Sequence, residues 1–152
     1  MIQSSFDSVN IIPATRDNLT QILEIGKEAI CADWTFDFLL PEIDKDDTFF
    51  VAAELDGDIL GFAVFREVGD DGELLQIATR RDLRCSGVGS VLLENVLQYA
   101  RSKSLLKVFL EVRESNTSAI GLYEKFGFTL LRVRESYYNA PVENALVMQL
   151  LL

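Results

Sequence analysis

The apolar positions of this chain change period several times along its length, and each change marks an element. Leu19, Ile22, Leu23, Ile25 and Ile30 recur at three- and four-residue spacing, one stripe of an amphipathic helix. Ahead of them, Val9-Asn10-Ile11-Ile12 reads as a short strand stopped by Pro13; Thr15 is placed to cap the helix and Asp17 to sit in its first turn. Residues 35–40 predict a second, short helix ending before Pro41. Residues 49–55 and 59–68 then read as strands, joined by Asp56-Gly57, the dipeptide that a type I′ hairpin turn favours. Gly61 marks a bulge, and residues 69–72 lead into a strand at 74–79. The helical period returns with Val88, Val91, Leu92, Val96, Tyr99 and Ala100, followed by a strand at 107–112. Ser115 or Asn116 caps another helix, which runs to Phe126 and closes on Gly127 with Phe128 folded back. Strands at 128–133 and 145–150 surround a loop holding Tyr137-Tyr138.

The order strand (74–79), helix, strand (107–112) needs a crossover, so these two strands are expected to be parallel neighbours with a right-handed connection. Ligands of such units bind beyond the carboxyl ends of the strands. The fold class is therefore α/β (α+β), one domain over 1–152, with a mixed central sheet flanked by helices.

Arg84-Cys85-Ser86-Gly87-Val88-Gly89 lies at one such end. A glycine turn that opens a helix exposes backbone N–H groups at the positive end of the helix dipole, and so offers an anion site. Gly87 and Gly89 allow close approach, and Arg84 adds a guanidinium fork. A P-loop would need Lys-Ser or Lys-Thr after the second glycine, but Gly89 precedes Ser90-Val91. A dinucleotide fingerprint would need a third glycine where Leu92 stands. What remains is Arg-x-x-Gly-x-Gly, which taken alone reads equally well as a glycine-rich turn with an exposed arginine.

Composition narrows the chemistry. Hydrophobic residues make up 49% and charged residues 25% of the 152, ordinary for a globular domain with a real core. A net charge of −10 argues against broad nucleic-acid binding and suits a cationic substrate. There is no histidine, which excludes Ser-His-Asp and Cys-His catalysis and His-ligated metal sites. Cys31 and Cys85 form no ligand cluster, and the acidic loop at 69–72 is too short for an EF-hand; no metal is expected. No apolar run reaches membrane-spanning length and no secretory leader is visible, so a soluble cytoplasmic protein is expected, monomer or homodimer.

The Arg84 turn, the run Leu110-Glu111-Val112-Arg113-Glu114-Ser115-Asn116 and the run from Ala119 to Phe128 together resemble the GNAT superfamily of N-acetyltransferases. Within it the likeness is greatest to RimI-type enzymes, the ribosomal-protein-alanine N-acetyltransferases, which also carry a Tyr-Tyr pair and a closing Ala-Leu-Val-Met. The chain departs from their pattern at Thr79 and Arg81, at Glu135-Ser136 where Arg-Asn is usual, and at Glu143-Asn144 where Glu-Asp is usual. Pro is also missing before Trp34. The resemblance implies a parallel pair of strands splayed around the pantetheine arm of acetyl-CoA. Ile77, Ala78 and Thr79 would bond that arm, and Arg84, Cys85, Ser86, Gly87, Val88, Gly89 and Ser90 would cradle the pyrophosphate. Asn116 would contact the cofactor arm. Glu111 would be the proton acceptor, Tyr123 the proton donor, and Trp34, Tyr137 and Tyr138 would face the acceptor.

The residues themselves keep simpler readings open. Glu111 equally suits a strand-end ion pair with Arg113 or another cation. Tyr123 lies on the apolar stripe of its helix and reads as a core tyrosine, and Asn116 reads as an N-cap. Tyr137 and Tyr138 line a peptide groove or are ordinary half-buried aromatics; Trp34 reads as a packing residue. Gly121 costs its helix about 1 kcal/mol against alanine, which points to close approach by a neighbour. An α-amine with pKa near 8 is about a tenth neutral at pH 7, a lysine amine below roughly a thousandth. A lone carboxylate without histidine is thus better matched to an α-amine. The expected activity is acetyl transfer from acetyl-CoA to a protein N-terminus. The alternatives are a small acceptor such as a polyamine, amino acid or antibiotic, and a non-catalytic acyl-CoA-binding module.

Overall fold

The computed structural model describes residues 9–29 and 36–152. Ile30, Cys31, Trp34 and Thr35 lie outside the described residues. Strand β1 (Asn10–Pro13) leads into helix α1 (Leu19–Ala29). Between them the Asn18 side chain accepts the Thr15 N–H at 2.7 Å and the Thr15 hydroxyl accepts the Asn18 N–H at 3.4 Å. Thr15 thus caps this segment as expected, while the regular helix begins only at Leu19, which leaves Asp17 ahead of its first turn. Helix α2 (Phe36–Leu39) runs on into a 3₁₀ turn, Leu40–Asp44. Pro41 opens that turn and does not terminate the segment, because the first turn requires no donor from it.

The remaining elements are β2 (Thr48–Leu55), β3 (Asp58–Val68), β4 (Asp71–Thr79), α3 (Val88–Ser102), β5 (Lys107–Arg113), α4 (Thr117–Lys125), β6 (Thr129–Tyr138) and β7 (Glu143–Leu151). Among the described residues these strands form one seven-stranded mixed sheet in the order β1-β2-β3-β4-β5-β7-β6, in which only β4 and β5 are parallel. Asp56 and Gly57 both have positive φ (52° and 88°), the type I′ geometry, and fix the β2–β3 register. The bulge beside Gly61 is present: Ala53 opposes Gly61 and Glu54 opposes Ile59, leaving Leu60 over. A Cβ on Gly61 would lie 2.7 Å from the Ala78 carbonyl oxygen, so β3 and β4 approach this closely only through glycine.

Side chains alternate across the sheet and fill two layers. Leu19, Ile22 and Ile25 of α1 pack with Phe50, Phe62 and Val64 on one face. Leu92, Leu93 and Val96 of α3 pack with Phe65, Val108 and Leu110 on the other. Helix α4 ends as expected. Gly127 takes φ 97°, its N–H reaches the Glu124 carbonyl, and the Phe128 N–H reaches the Tyr123 carbonyl at 3.0 Å, a Schellman closure. The tyrosine pair is the main topological surprise. It lies in β6, which extends to Tyr138, rather than in a loop.

One irregularity positions the site. The parallel ladder joins Gly72–Leu74 to Val108–Leu110 and goes no further. There β4 bulges: Val64 of β3 opposes Gln76 and Phe65 opposes Leu74, leaving Leu75 unopposed. The bulge bends β4 away from β5, and the two strands diverge toward their carboxyl ends.

Candidate active site

The divergence opens a cleft of about 780 Å³, a size that suits a small-molecule ligand. Ile77, Ala78 and Thr79 form its β4 wall and Glu111 its β5 wall. Beyond Leu74 the β4 backbone groups directed toward β5 have no strand partner. Backbone polar groups held apart in this way need another partner.

At one end the cleft meets the start of α3. Gly87 is the N-cap, with φ 104° and no side-chain cap, and Cys85 also has positive φ (61°). The N–H groups of Val88, Gly89 and Ser90 find no acceptor among the described residues. Arg84, Cys85, Gly87, Gly89 and Ser90 line this end. Ser86 and Val88 do not line it. The Ser86 hydroxyl donates to the Leu83 carbonyl and its N–H reaches the same oxygen at 3.2 Å, while the Val88 side chain is fully buried in the core. Ser86 therefore shapes the turn, and Val88 contributes only backbone. The sequence reading missed Lys125, whose ammonium donates to the Ser90 hydroxyl at 3.4 Å and brings a second cation to this end.

Helix α4 forms another wall. The Asn116 side chain accepts the Ala119 N–H at 3.2 Å, so it is an N-cap that also lines the cleft. Tyr123 is 6% exposed and packs its ring 5.8 Å from that of Phe128. Its hydroxyl has no partner among the described residues, yet no buried side-chain polar atom there is unsatisfied; the hydroxyl opens onto the cleft. Burial, and then the neighbouring Tyr138, pushes its pKa well up, so it stays protonated at neutral pH. Gly121, in contrast, is exposed with open space where a Cβ would stand, so the close approach expected there is absent.

The opposite end is built by β5, β6 and β7. Glu111 does pair with a cation, but the partner is Arg134, not Arg113: Arg134 Nη1 donates to Glu111 Oε1 at 2.8 Å. The Arg134 guanidinium also lies over the Tyr137 ring, 4.4 Å from its centroid. Interaction with the Glu111 carboxylate, as acceptor and as charge, raises the pKa of Tyr137. Arg113 instead donates to Glu143 at 3.2 Å and to the Asn139 and Pro141 carbonyls at 3.1 Å, and stacks over Tyr138 at 4.4 Å. Burial pushes Tyr138 up to about 12. Glu111, Tyr123, Tyr137 and Tyr138 thus share one cleft. Trp34 lies outside the described residues. Among those residues no group of acidic or cysteine side chains could hold a metal ion, and no helix is long and apolar enough to cross a membrane.

A strand gap with unpaired backbone, free N–H groups at a helix start, and a carboxylate and a protonated phenol in one cleft are features suited to group transfer from a ligand with a phosphorylated tail. The family model described as Acetyltransferase (GNAT) family matches residues 16–128, and the chain belongs to that family. Among its relatives is the ribosomal protein bS18-alanine N-acetyltransferase of Haemophilus influenzae, 33% identical over 132 residues (84% of this chain, 88% of the relative). An N-alpha-acetyltransferase of Sulfolobus acidocaldarius is 29% identical over 148 residues (89% and 88%). The crystal structure of the Escherichia coli ribosomal-protein-S18-alanine N-acetyltransferase superposes with a TM-score of 0.86 at 27% identity, covering 94% of this chain and 93% of that one. A GNAT family acetyltransferase from Elizabethkingia anophelis, solved with acetyl-CoA bound, shares the fold at a TM-score of 0.78 and 22% identity, covering 96% and 99%. The protein is an N-acetyltransferase.

Proposed function

We propose that this enzyme transfers acetyl from acetyl-CoA to the N-terminal α-amine of a protein, with Glu111 as proton acceptor and Tyr123 as proton donor. The observation that carries the reading is that both side chains enter one cleft, whose far end is the unaccepted N–H array at the start of α3. The diphosphate of the cosubstrate would lie on that array with Arg84 and Lys125 beside it. The pantetheine amides would take the unpaired backbone groups of residues 76–79, and Tyr137 and Tyr138 would flank the incoming peptide. Relatives from a bacterium and an archaeon both act on α-amines, which favours that acceptor over a small amine. A ribosomal or other nascent protein as acceptor implies a cytoplasmic enzyme.

The chemistry follows from the two groups. The acceptor arrives as an ammonium, and Glu111 takes one proton, directly or through one water. The amine nitrogen then forms a bond to the thioester carbon while the carbon–sulfur bond breaks, and the nitrogen sheds its second proton to water or to the departing sulfur, leaving a neutral amide. Tyr123 donates toward the departing sulfur. A thiol of pKa about 8.5 is more acidic than a phenol of pKa about 10 or above. Full proton transfer from Tyr123 is therefore uphill, and its first contribution is a hydrogen bond to the developing thiolate.

Thiol release from acetyl-CoA should be followed with an Ala-starting peptide, the same peptide N-terminally blocked but carrying lysine, and a panel of small amines. Turnover confined to the free N-terminus supports the reading. Turnover greatest on a small amine, or none on any acceptor despite acetyl-CoA binding, overturns it.

A further inference from the structure

We propose that Arg134 is the positioning residue of the acceptor base, a latch on Glu111 that the arriving ammonium opens. The inference rests on Glu111 being the proton acceptor, as proposed above.

The geometry singles out Arg134 from the other arginines of this end. In the β5–β7–β6 ladder, Glu111 pairs with Val147, and Val147 with Arg132. Arg132 is therefore the cation directly in line, yet it makes no ion pair among the described residues. Arg134 stands in line with Ala145 and Arg113 and reaches Glu111 on the diagonal. Alanine at 145 leaves that diagonal unobstructed. The guanidinium is then backed by the Tyr137 ring at 4.4 Å, an orientation that a flexible surface pair would lack.

The contact engages one carboxylate oxygen. Arg134 holds Glu111 Oε1 at 2.8 Å, and the carboxylate lines the cleft beside the Tyr137 that backs the guanidinium. The pair is also partly open to water, with side chains 42% and 26% exposed, so solvent screens it and a competing cation can displace or share it. An acceptor ammonium is such a cation. Two consequences follow. A held carboxylate presents the same oxygen to every acceptor, which favours turnover. The same hold competes with the ammonium, which weakens acceptor binding.

Opposite effects on kcat and KM separate this role from a structural one. Arg134→Gln is expected to lower kcat by about tenfold while lowering the acceptor KM severalfold and leaving the acetyl-CoA KM unchanged. Arg134→Lys, which restores a cation without the planar fork, should recover the higher acceptor KM and part of kcat. Unchanged kcat and acceptor KM in Arg134→Gln would overturn the latch. So would both KM values rising together with a lowered melting temperature. Glu111→Gln run beside them keeps the two readings apart. If it turns over like wild type, the base assignment fails; if it is inactive while both Arg134 variants behave as wild type, only the latch fails.

Discussion

Ser136 gives its backbone N–H to the side-chain oxygen of Asn144 across the β6–β7 ladder, at 2.9 Å. At this point β6 carries Glu135, Ser136 and Tyr137 between the paired residues Arg134 and Tyr138, while β7 carries Asn144 alone between their partners. Ser136 absorbs the excess with φ 50°, and Tyr137 comes to share a face with Arg134, its ring edge-on to Tyr138 at 5.1 Å. The Asn144 amide nitrogen meanwhile donates to Glu114 Oε2 at 3.4 Å. An aspartate, usual here in RimI-type relatives, would accept from Ser136 but could not donate to Glu114. The departure at residue 144 is thus matched to Glu114.

Asn144→Asp should accordingly set two carboxylates against each other and cost about 1 kcal/mol. Repulsion from Glu114 would draw the residue 144 side chain off the Ser136 N–H and loosen the tyrosines, so the acceptor KM should rise with little change for acetyl-CoA. Adding Glu114→Gln supplies a donor for the new carboxylate and should restore most of both losses. Urea unfolding and initial-rate kinetics on the four chains of the cycle give the coupling directly.

Acid should loosen the same hairpin first. Glu143 is held below the ordinary carboxylate range, mainly by hydrogen bonds from Ser115 and then by Arg113. Ser115 N–H reaches its Oε1 at 2.6 Å and Arg113 its Oε2 at 3.2 Å, which ties the end of β5 to the start of β7. A carboxylate with a depressed folded-state pKa adds stability that is complete above its unfolded value, about 4.3, and is lost as pH falls through the folded value. The tyrosine near-ultraviolet signal should therefore fade from just below that pH downward, ahead of helix content. Glu143→Gln should show the weakened hairpin already at neutral pH, with no further acid step; an unaltered acid step in that variant would remove Glu143 from the account.

What the sequence disclosed was local. The Asp56-Gly57 turn, the Gly87 helix start and the Gly127 closure each depend on φ values that a few adjacent residues dictate, and all three stand as read. Glu111 and Tyr123 also fall in one cleft, although it was the family likeness that selected them. The failures came from distance along the chain. Arg134 reaches Glu111 only because β7 pairs between their strands, and 23 residues separate them in sequence. The β6 bulge depends on an amide eight residues downstream, so a plain reading ended the strand at 133 and left the tyrosines in a loop. Ser86 looked like a phosphate ligand by motif, but a backbone carbonyl three residues back claims both of its donors.

The helix start gives a test of the cosubstrate end alone. Gly87 holds φ 104°, where an L side chain is strained, although a Cβ would touch nothing within 4 Å. Gly87→Ala therefore either keeps the strain, at about 1–2 kcal/mol, or relaxes by turning the first N–H groups of α3. Both routes disturb the anion array. Calorimetry should show coenzyme A affinity lowered by about tenfold or more, the loss of one or two well-placed charge-assisted hydrogen bonds. The acceptor KM, measured at saturating acetyl-CoA, should stay near wild type. Undiminished coenzyme A binding would place the phosphates elsewhere.

Tyr123→Phe separates catalysis from packing more cleanly than any other single change at this site. Most of the residue is ring, set against Phe128, and phenylalanine retains it. The hydroxyl makes no hydrogen bond among the described residues, so removing it leaves no partner stranded, and stability should stay within about 0.5 kcal/mol of wild type or rise slightly. If the hydroxyl serves the departing sulfur, kcat should fall by about 10²-fold or more. Acetyl-CoA affinity should hold, because the thioester is bound through its tail and arm. The pH dependence adds a second check. Burial keeps this phenol protonated through the working range, so its ionisation should not appear as a basic limb near pH 10 in the wild-type profile. A stable Tyr123→Phe variant with full turnover would assign the tyrosine to the core and leave the thiolate to be protonated by solvent.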